Sequence, residues 1–356
     1  MKIGILGAGQ LSRMLALAGI PLGFDFIFYD PNSSACTAGL GESFQGDYTD
    51  YAALDRFLEK ADVITYENEN IPVATLKHIL EKGITLHPSI DAIKAMQDRL
   101  LEKNFLNSLN IPTTEYRALN NKNDLNEFIK TFSYPAIIKH RTHSYDGKGQ
   151  IVIKDADDLD AIDNDQLNNT IVEKFVNFDR EISIVGCRDI NGNYAFYDIC
   201  ENVHKSGILH KTTNIQNDPM HQDAKTHLTK IMDTLEYVGV CTTEFFVSNK
   251  HLIVNELAPR VHNTGHWTIE GAVTSQFENH LRCISGYPLG DTSSTGNFSM
   301  YNILSSFPNK KELLSEYNIH LHDYKKAPKK NRKIGHVNFI KNQALETKIA
   351  HLLTES

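Results

Sequence analysis

Short apolar runs alternate with segments of helical period along the first part of the chain, the pattern of strands and helices in turn. Ile3 to Leu6 reads as a buried parallel strand, and the glycine turn Gly7-Ala8-Gly9-Gln10-Leu11-Ser12 leads into a helix over 13–18. Residues 24–30 read as the second strand of a βαβ unit, ending on Asp30, and 62–66 as a later strand of the same sheet. That strand runs into the polar stretch Glu67-Asn68-Glu69-Asn70. Ligands of open α/β sheets sit beyond the carboxyl ends of the strands, so Glu69 and Asn70 are expected to face the same crevice as Gly9 and Gln10. A helix over 92–109 then leaves the unit, and Ile111-Pro112-Thr113 marks a boundary.

A smaller mixed unit follows. A strand over 134–139 ends on Lys139, the basic, glycine-bearing loop from His140 to Gln150 comes next, and a strand over 151–153 closes the pair. Such a loop can close over a triphosphate through backbone N–H groups and lysine charge. It lacks the spacing of a Walker site. Strands over 171–176 and 181–186 come after it, the second beginning on Glu181, an acid placed either to take ribose hydroxyls or simply at an exposed strand end. A helix over 222–237 and a further helical stretch over 271–285 flank the most informative segment.

That segment runs from Cys241 to Trp267. β-Branched and aromatic residues on both sides of Ser248-Asn249-Lys250 read as a hairpin. A turn centred on Lys250 puts Glu244 opposite Glu256. Facing like charges destabilise a strand pair, and burial raises the cost. A divalent cation such as Mg2+ removes the conflict, since it takes carboxylate oxygens and shares them with phosphates. Asn255 supplies another oxygen, but strict alternation turns it to the opposite face, so its participation needs a twist or a bulge. Beyond the hairpin, Pro259-Arg260-Val261-His262-Asn263-Thr264-Gly265-His266-Trp267 gathers a cation, imidazoles and an amide in one loop, where a small anion could be gripped.

Composition narrows the class. At 356 residues, 41% apolar and 22% charged, the chain has the make-up of an ordinary globular protein of two or three domains. A net charge of -8 argues against nucleic acid as a general partner. Five scattered cysteines without CxxC spacing suit a reducing cytoplasm, and neither a signal peptide nor a membrane-length apolar run is expected. The exception to the negative balance is Lys325 to Lys333, with six cations in nine residues, readable as a solvated loop, a nucleic-acid contact or a grip for the phosphate of an anionic substrate. The turn at Gly7 and Gly9 with Asp30 downstream also admits a dinucleotide, although Ser12 stands at the third glycine position.

Taken together, the stretches GAGQLSRM, TYENENIP, IIKHRTHSYDGKGQ, VEKFV with REIS, ENVHKSGIL, NELAPRVHNTGHWT and YKKAPKKNRKIGH resemble the ATP-grasp superfamily. Within it the chain resembles the family of 5-(carboxyamino)imidazole ribonucleotide synthases, ATP-dependent carboxylases of purine biosynthesis. The resemblance implies an α/β and α+β chain: an N-terminal Rossmann-like domain (1–98), an ATP-grasp domain (99–290) with a lid over about 113–176, and a small C-terminal β-rich unit (291–356). It implies ATP contacts from Arg99, Lys139, the loop Ser144, Tyr145, Asp146, Gly147, Lys148, Gly149 and Gln150, then Glu173, Lys174, Phe175 and Val176, and finally Glu181, His204, Asn255 and Glu256. Glu244 and Glu256 would hold Mg2+ or Mn2+. Arg260, His262, Asn263 and Asp146 would form the catalytic pocket. The ribonucleotide would meet Gly9, Gln10, Leu11, Glu69, Asn70, Tyr145 and Asp146, with Lys326 and Arg332 at its phosphate.

The implied reaction carboxylates 5-aminoimidazole ribonucleotide with bicarbonate at the expense of ATP, through carboxyphosphate and CO2, in a cytoplasmic homodimer whose only partners are small molecules. Alternatives are a formate-using purine ligase of the same architecture, an NAD-dependent dehydrogenase and a non-catalytic nucleotide sensor. Three positions depart from the family's pattern: His143-Ser144 for a glycine pair, Ser12 for glycine, and Lys330-Asn331 for Pro-Gly.

Overall fold

The computed structural model describes residues 1–142 and 149–354. Its N-terminal sheet contains β1 (Lys2–Leu6), β2 (Asp25–Asp30), β3 (Glu42–Gln45), β4 (Val63–Tyr66) and β5 (Thr85–Leu86), all parallel, in the order β3-β2-β1-β4-β5. Helices α1 (Gln10–Gly19), α2 (Tyr51–Leu58) and α3 (Val73–Glu81) cover it. Parallel strands buried on both faces carry continuous apolar runs, which is why Ile3, Ile5, Ile64 and Tyr66 are all fully buried. α1 puts Leu11, Met14 and Leu15 into a core that also holds Phe26, Phe277 and Leu281, so one apolar cluster joins this sheet to the rest of the molecule. Each such side chain contributes roughly 1.5–3 kcal/mol by leaving water.

The expected helix over 92–109 is two helices, α4 (Ile90–Met96) and α5 (Arg99–Ser108). The break is chemical. Asp98 takes an extended backbone and its carboxylate accepts the N–H groups of Leu100 and Leu101, capping α5 and ending helical continuity at Gln97.

A four-stranded antiparallel sheet follows, ordered β6-β9-β7-β8: β6 (Tyr116–Leu119), β7 (Ala136–His140), β8 (Gln150–Ile153) and β9 (Thr170–Lys174), with α6 (Lys122–Phe132) and α7 (Ala156–Asp160) beside it. It has its own apolar core around Leu125, Phe128, Ile138 and Val172. β9 stops at Lys174, so Phe175 and Val176, expected in the strand, lie beyond its end.

The remainder forms one antiparallel sheet of nine strands. They are β10 (Arg180–Arg188), β11 (Tyr194–Phe196), β12 (Ile199–Lys205), β13 (Ile208–Ile215), β14 (Gly239–Ser248), β15 (His251–Ala258), β16 (Phe298–Ser305), β17 (Ile319–Asp323) and β18 (Lys329–Ile340). The path runs β15-β14-β10-β12-β13-β16-β18-β17, with β11 on β10. β13 pairs with β16, so the C-terminal strands extend the central sheet rather than building a separate one. Helices α8 (His221–Thr234), α9 (Thr268–Gly271), α10 (Gln276–Ser285), α11 (Lys310–Leu313) and α12 (Gln343–Thr354) complete the chain. The helical stretch expected over 271–285 is again divided. Val273 and Thr274 donate their N–H groups to the carbonyls of Ser293 and Asp291, and Ser275 caps α10.

Candidate active site

The β14–β15 hairpin turns on Asn249 and Lys250, both with positive φ (51° and 65°), as a two-residue hairpin loop requires. Near the turn the pairs are Ser248↔His251, Val247↔Leu252, Phe246↔Ile253 and Phe245↔Val254; the register then shifts, and Glu244 pairs with Glu256. The turn is therefore centred between Asn249 and Lys250 rather than on Lys250. Glu244 nevertheless faces Glu256, because Asn255 is the extra residue of a β-bulge. The bulge frees Asn255 from strict alternation, and its side chain lines the same cleft as both glutamates.

Two clefts meet at this point. The smaller, about 310 Å³, is lined by Lys139, Gln150, Glu173, Lys174, Phe175, Val176, Phe178, Glu181, His204, Glu244, Phe246 and Asn255. The larger, about 610 Å³, is lined by Gln10, Leu11, Glu69, Asn70, Lys326, Arg332 and neighbours. Arg99, Glu256, His262, Asn263 and Lys333 belong to both and form the shared wall.

Electrostatics on that wall are opposed in an ordered way. Burial, and then the charge of Glu256, push the Glu244 acid up to about 7. Burial pushes Glu256 up too, but Arg99 and then Lys139 outweigh it and hold this acid below its ordinary range. Arg99 Nη1 donates to Glu256 Oε2 at 3.2 Å. The His262 imidazole is held neutral, its pKa driven far down by burial and by Arg260. His262 Nδ1 lies 3.0 Å from the Thr264 hydroxyl and 3.4 Å from its backbone nitrogen, and Nε2 lies 3.7 Å from Glu244 Oε1. Two facing carboxylates with an amide oxygen on the bulge form the hard-oxygen donor set that Mg2+ or Mn2+ takes, and the raised acid of Glu244 marks charge in want of a counter-ion.

Several side chains expected to meet ligands meet one another. Arg260 makes a two-point ion pair with Glu69, Nε to Oε2 at 2.5 Å and Nη2 to Oε1 at 3.1 Å, joining the loop after β15 to the loop after β4. Asn263 exchanges two hydrogen bonds with Asn302, at 3.0 and 2.8 Å. Lys326 Nζ donates to Gln10 Oε1. Arg332 Nη1 donates to the Ala327 carbonyl at 3.2 Å. His204 Nδ1 lies 3.0 Å from Glu181 Oε2; burial lowers its pKa, but Glu181 and then Glu244 more than reverse that. Glu173 is buried, with Oε2 accepting from Lys139 Nζ at 3.0 Å.

Gly9 requires a correction. Its N–H is not offered to the cleft but donated to Glu67 Oε1 at 2.7 Å, and Ser12 N–H goes to the other oxygen at 3.0 Å. Asp30 Oδ2 accepts the Ala8 N–H at 2.9 Å. The start of α1, where a dinucleotide's pyrophosphate would sit, is thus filled by the protein's own carboxylate, and Asp30 is occupied as well. β-Carbons at Gly7 and Gly9 would collide with the Glu67 side chain, so these glycines serve an internal close approach. This geometry tells against the dehydrogenase alternative. Gln10 and Leu11, by contrast, do line the larger cleft.

Ser144, Tyr145, Asp146, Gly147 and Lys148 lie outside the described residues. Gly149 has φ of +72° and passes its carbonyl to His140 N–H, and Gln150 lines the smaller cleft. Sequence reasoning missed Glu67, Glu102, Lys103, Thr114 and Asn302, and took Lys333 only as one cation of the run 325–333. Lys103 was reachable, since it stands four residues after Arg99 on one helix face. The others depend on contacts between distant segments.

A cleft lined by a separate small sheet and by an acidic hairpin is the arrangement of an ATP-grasp protein. The ATP-grasp domain family model matches residues 104–277, the ribonucleotide synthetase preATP-grasp domain 1–97, and the phosphoribosylaminoimidazole carboxylase C-terminal domain 299–349. A curated N5-carboxyaminoimidazole ribonucleotide synthase from Pseudomonas aeruginosa is 40% identical over 94% of this chain and 93% of its own. The crystal structure of N5-carboxyaminoimidazole ribonucleotide synthetase from Thermus thermophilus superposes with a TM-score of 0.91 at 42% identity, covering 98% of this chain and 97% of that one. That of the synthase from Aspergillus clavatus, in complex with ADP and 5-aminoimidazole ribonucleotide, gives 0.88 at 26% identity, covering 99% and 97%. The chain belongs to the N5-carboxyaminoimidazole ribonucleotide synthase family.

Proposed function

We propose that this chain is an ATP-dependent ligase that carboxylates the exocyclic amine of 5-aminoimidazole ribonucleotide in purine biosynthesis, with bicarbonate as carbon source and ADP and phosphate as co-products. The observation that carries the reading is the shared wall: Glu256, His262 and Asn263 line both clefts, so a nucleotide in the smaller and a ribonucleotide in the larger would meet there. Bicarbonate held there attacks the terminal phosphorus of ATP to form carboxyphosphate, with ADP leaving. Carboxyphosphate splits into CO2 and phosphate, and the amine captures the CO2, releasing a proton. Water must be kept away while this happens, a role suited to the small sheet and its loop.

Lys139 and Arg99 stabilise charge on the phosphates. The neutral His262, with Nδ1 engaged by Thr264, donates from Nε2 to an oxyanion rather than acting first as a base. Arg260, fixed in orientation by Glu69, supplies the cation beside it. Lys326, Arg332 and Lys333 offer charge to the ribonucleotide phosphate. Glu244 and Glu256, with Asn255 beside them, would hold Mg2+ or Mn2+, which when bound neutralises phosphate charge. The acidic pair's mutual repulsion supports that assignment.

The units we assign are 1–98, 99–290 with a lid over 113–176, and 291–356, a division supported by the spans of the matching family models. A cytoplasmic homodimer completes the reading. Among the described residues no helix is long and apolar enough to cross a membrane.

The test is phosphate release with each of ATP, bicarbonate, ribonucleotide and Mg2+ omitted in turn, and with formate replacing bicarbonate. Dependence on all four with no response to formate is expected. Turnover with formate instead would assign the chain to the transformylase chemistry.

A further inference from the structure

Lys103 on α5 is 1% exposed, and none of the tasks above uses it. Its Nζ donates to the hydroxyls of Thr113 at 3.1 Å and Thr114 at 2.8 Å, and stands 3.4 Å from Glu173 Oε1. Both hydroxyl protons are committed elsewhere, Thr113 to the Val254 carbonyl at 2.9 Å and Thr114 to Glu173 Oε2 at 3.0 Å. Lys103 therefore gives N–H groups to two hydroxyls and stands within ion-pair distance of Glu173 Oε1, which has no hydrogen-bond partner among the described residues; burial lowers the pKa of the lysine, and the charge of Glu173 works against that. Glu173 is 2% exposed and touches two lysines, Lys103 on Oε1 and Lys139 on Oε2 at 3.0 Å.

A buried carboxylate paired with one lysine makes a neutral unit, whereas one shared between two keeps a net positive charge. The other acid of this turn, Glu102, is engaged elsewhere: its Oε2 accepts the Leu257 N–H at 3.0 Å, and burial raises its pKa. Arg99 is paired with Glu256. Only Lys139 of the two lysines faces the smaller cleft.

We infer that Lys103 is a positioning residue for the nucleotide: by neutralising Glu173 from behind, it leaves the surplus positive charge of the cluster on Lys139, aimed at the phosphates. The inference rests on reading the smaller cleft as the ATP site. It also ties α5, the Thr113-Thr114 connection and the small sheet together, since Glu173 and Lys139 lie on β9 and β7.

The experiment compares the ATP KM of the full-length enzyme with Lys103→Met and with the double variant Lys103→Met/Glu173→Gln, by ADP release at saturating bicarbonate and ribonucleotide. Lys103→Met lets Glu173 claim Lys139, and the ATP KM is expected to rise about 10-fold or more, with a smaller change in kcat. The double variant removes one charge of each sign and, although Glu173 itself lines the cleft, is expected to recover at least about 3-fold of that rise in KM, the non-additivity of groups in contact. A Lys103→Met KM equal to wild type, or a double variant no better than the single one, overturns the inference. If Lys103→Met does not fold, the double variant is compared with Glu173→Gln alone: a KM no higher than that of Glu173→Gln supports the inference, while a higher KM or failure to fold overturns it. A wild-type protein without ATP-dependent turnover would instead sink the reading of the cleft itself.

Discussion

Glu244 and Glu256 face each other across the β14–β15 hairpin only because Asn255 is bulged out between Glu256 and Val254. One bulge does three things at once. It aligns two carboxylates, frees an amide oxygen beside them, and bends the strand at the seam of two clefts.

Replacing Glu256 with Gln keeps the shape of the side chain and removes one charge of that pair. Metal-dependent ADP formation is expected to fall by roughly 100-fold, the order of loss that even an outer partner of a metal site can cause. A magnesium titration of initial rates, alongside thermal unfolding to show that the fold persists, measures it. Full ADP production by the folded variant contradicts the metal assignment.

Glu102 makes stability depend on pH. Its Oε2 accepts the Leu257 N–H at 3.0 Å, its other oxygen has no hydrogen-bond partner among the described residues, and burial raises the acid to about 8 from an ordinary value near 4.5. The folded state then holds a proton that the unfolded chain gives up. The contribution is complete below about 4.5 and is lost as pH rises to about 8, on the order of a few kcal/mol in all. Glu102→Gln keeps the acceptor for Leu257 and cannot ionise, so urea unfolding across that range should lose this part of its slope. An unchanged slope would refute the assignment.

Lys326 and Arg332 line the larger cleft and are the two cations of the run 325–333 that the resemblance places at the phosphate of the ribonucleotide. Either one changed to Ala is expected to raise the KM for the ribonucleotide about 10-fold or more while the KM for ATP stays put. Initial rates with each substrate varied separately distinguish the two. Equal effects on both would place these cations at the shared wall instead.

Gly9→Ala tests the internal role of the glycine turn. An added β-carbon runs into the Glu67 carboxylate, which accepts the N–H groups of Gly9 and Ser12. A destabilisation of about 1–3 kcal/mol by urea unfolding is expected, as for other overpacked sites. No loss would mean that Glu67 moves aside freely and that the start of α1 is open to an anion after all.

The pattern of apolar runs in the N-terminal unit was legible because buried parallel strands need continuous apolar sequence whatever their neighbours, and the hairpin because its strands and turn are adjacent in the chain. The Glu244–Glu256 pair was reached from a turn centred half a residue too far along, an offset that the bulge at Asn255 makes good. The helix breaks at Asp98 and over 272–275 were not. Their causes are a cap also engaged by Arg141 at 2.7 Å and backbone bonds to Ser293 and Asp291, residues far along the chain. Pairings such as Arg260 with Glu69, Asn263 with Asn302 and Lys103 with Glu173 join segments separated by tens to nearly two hundred positions. Local propensity and spacing say nothing about which charged side chain a distant carboxylate will meet. Packing of the sheets decides that, and with it which cations keep their charge for the ligands.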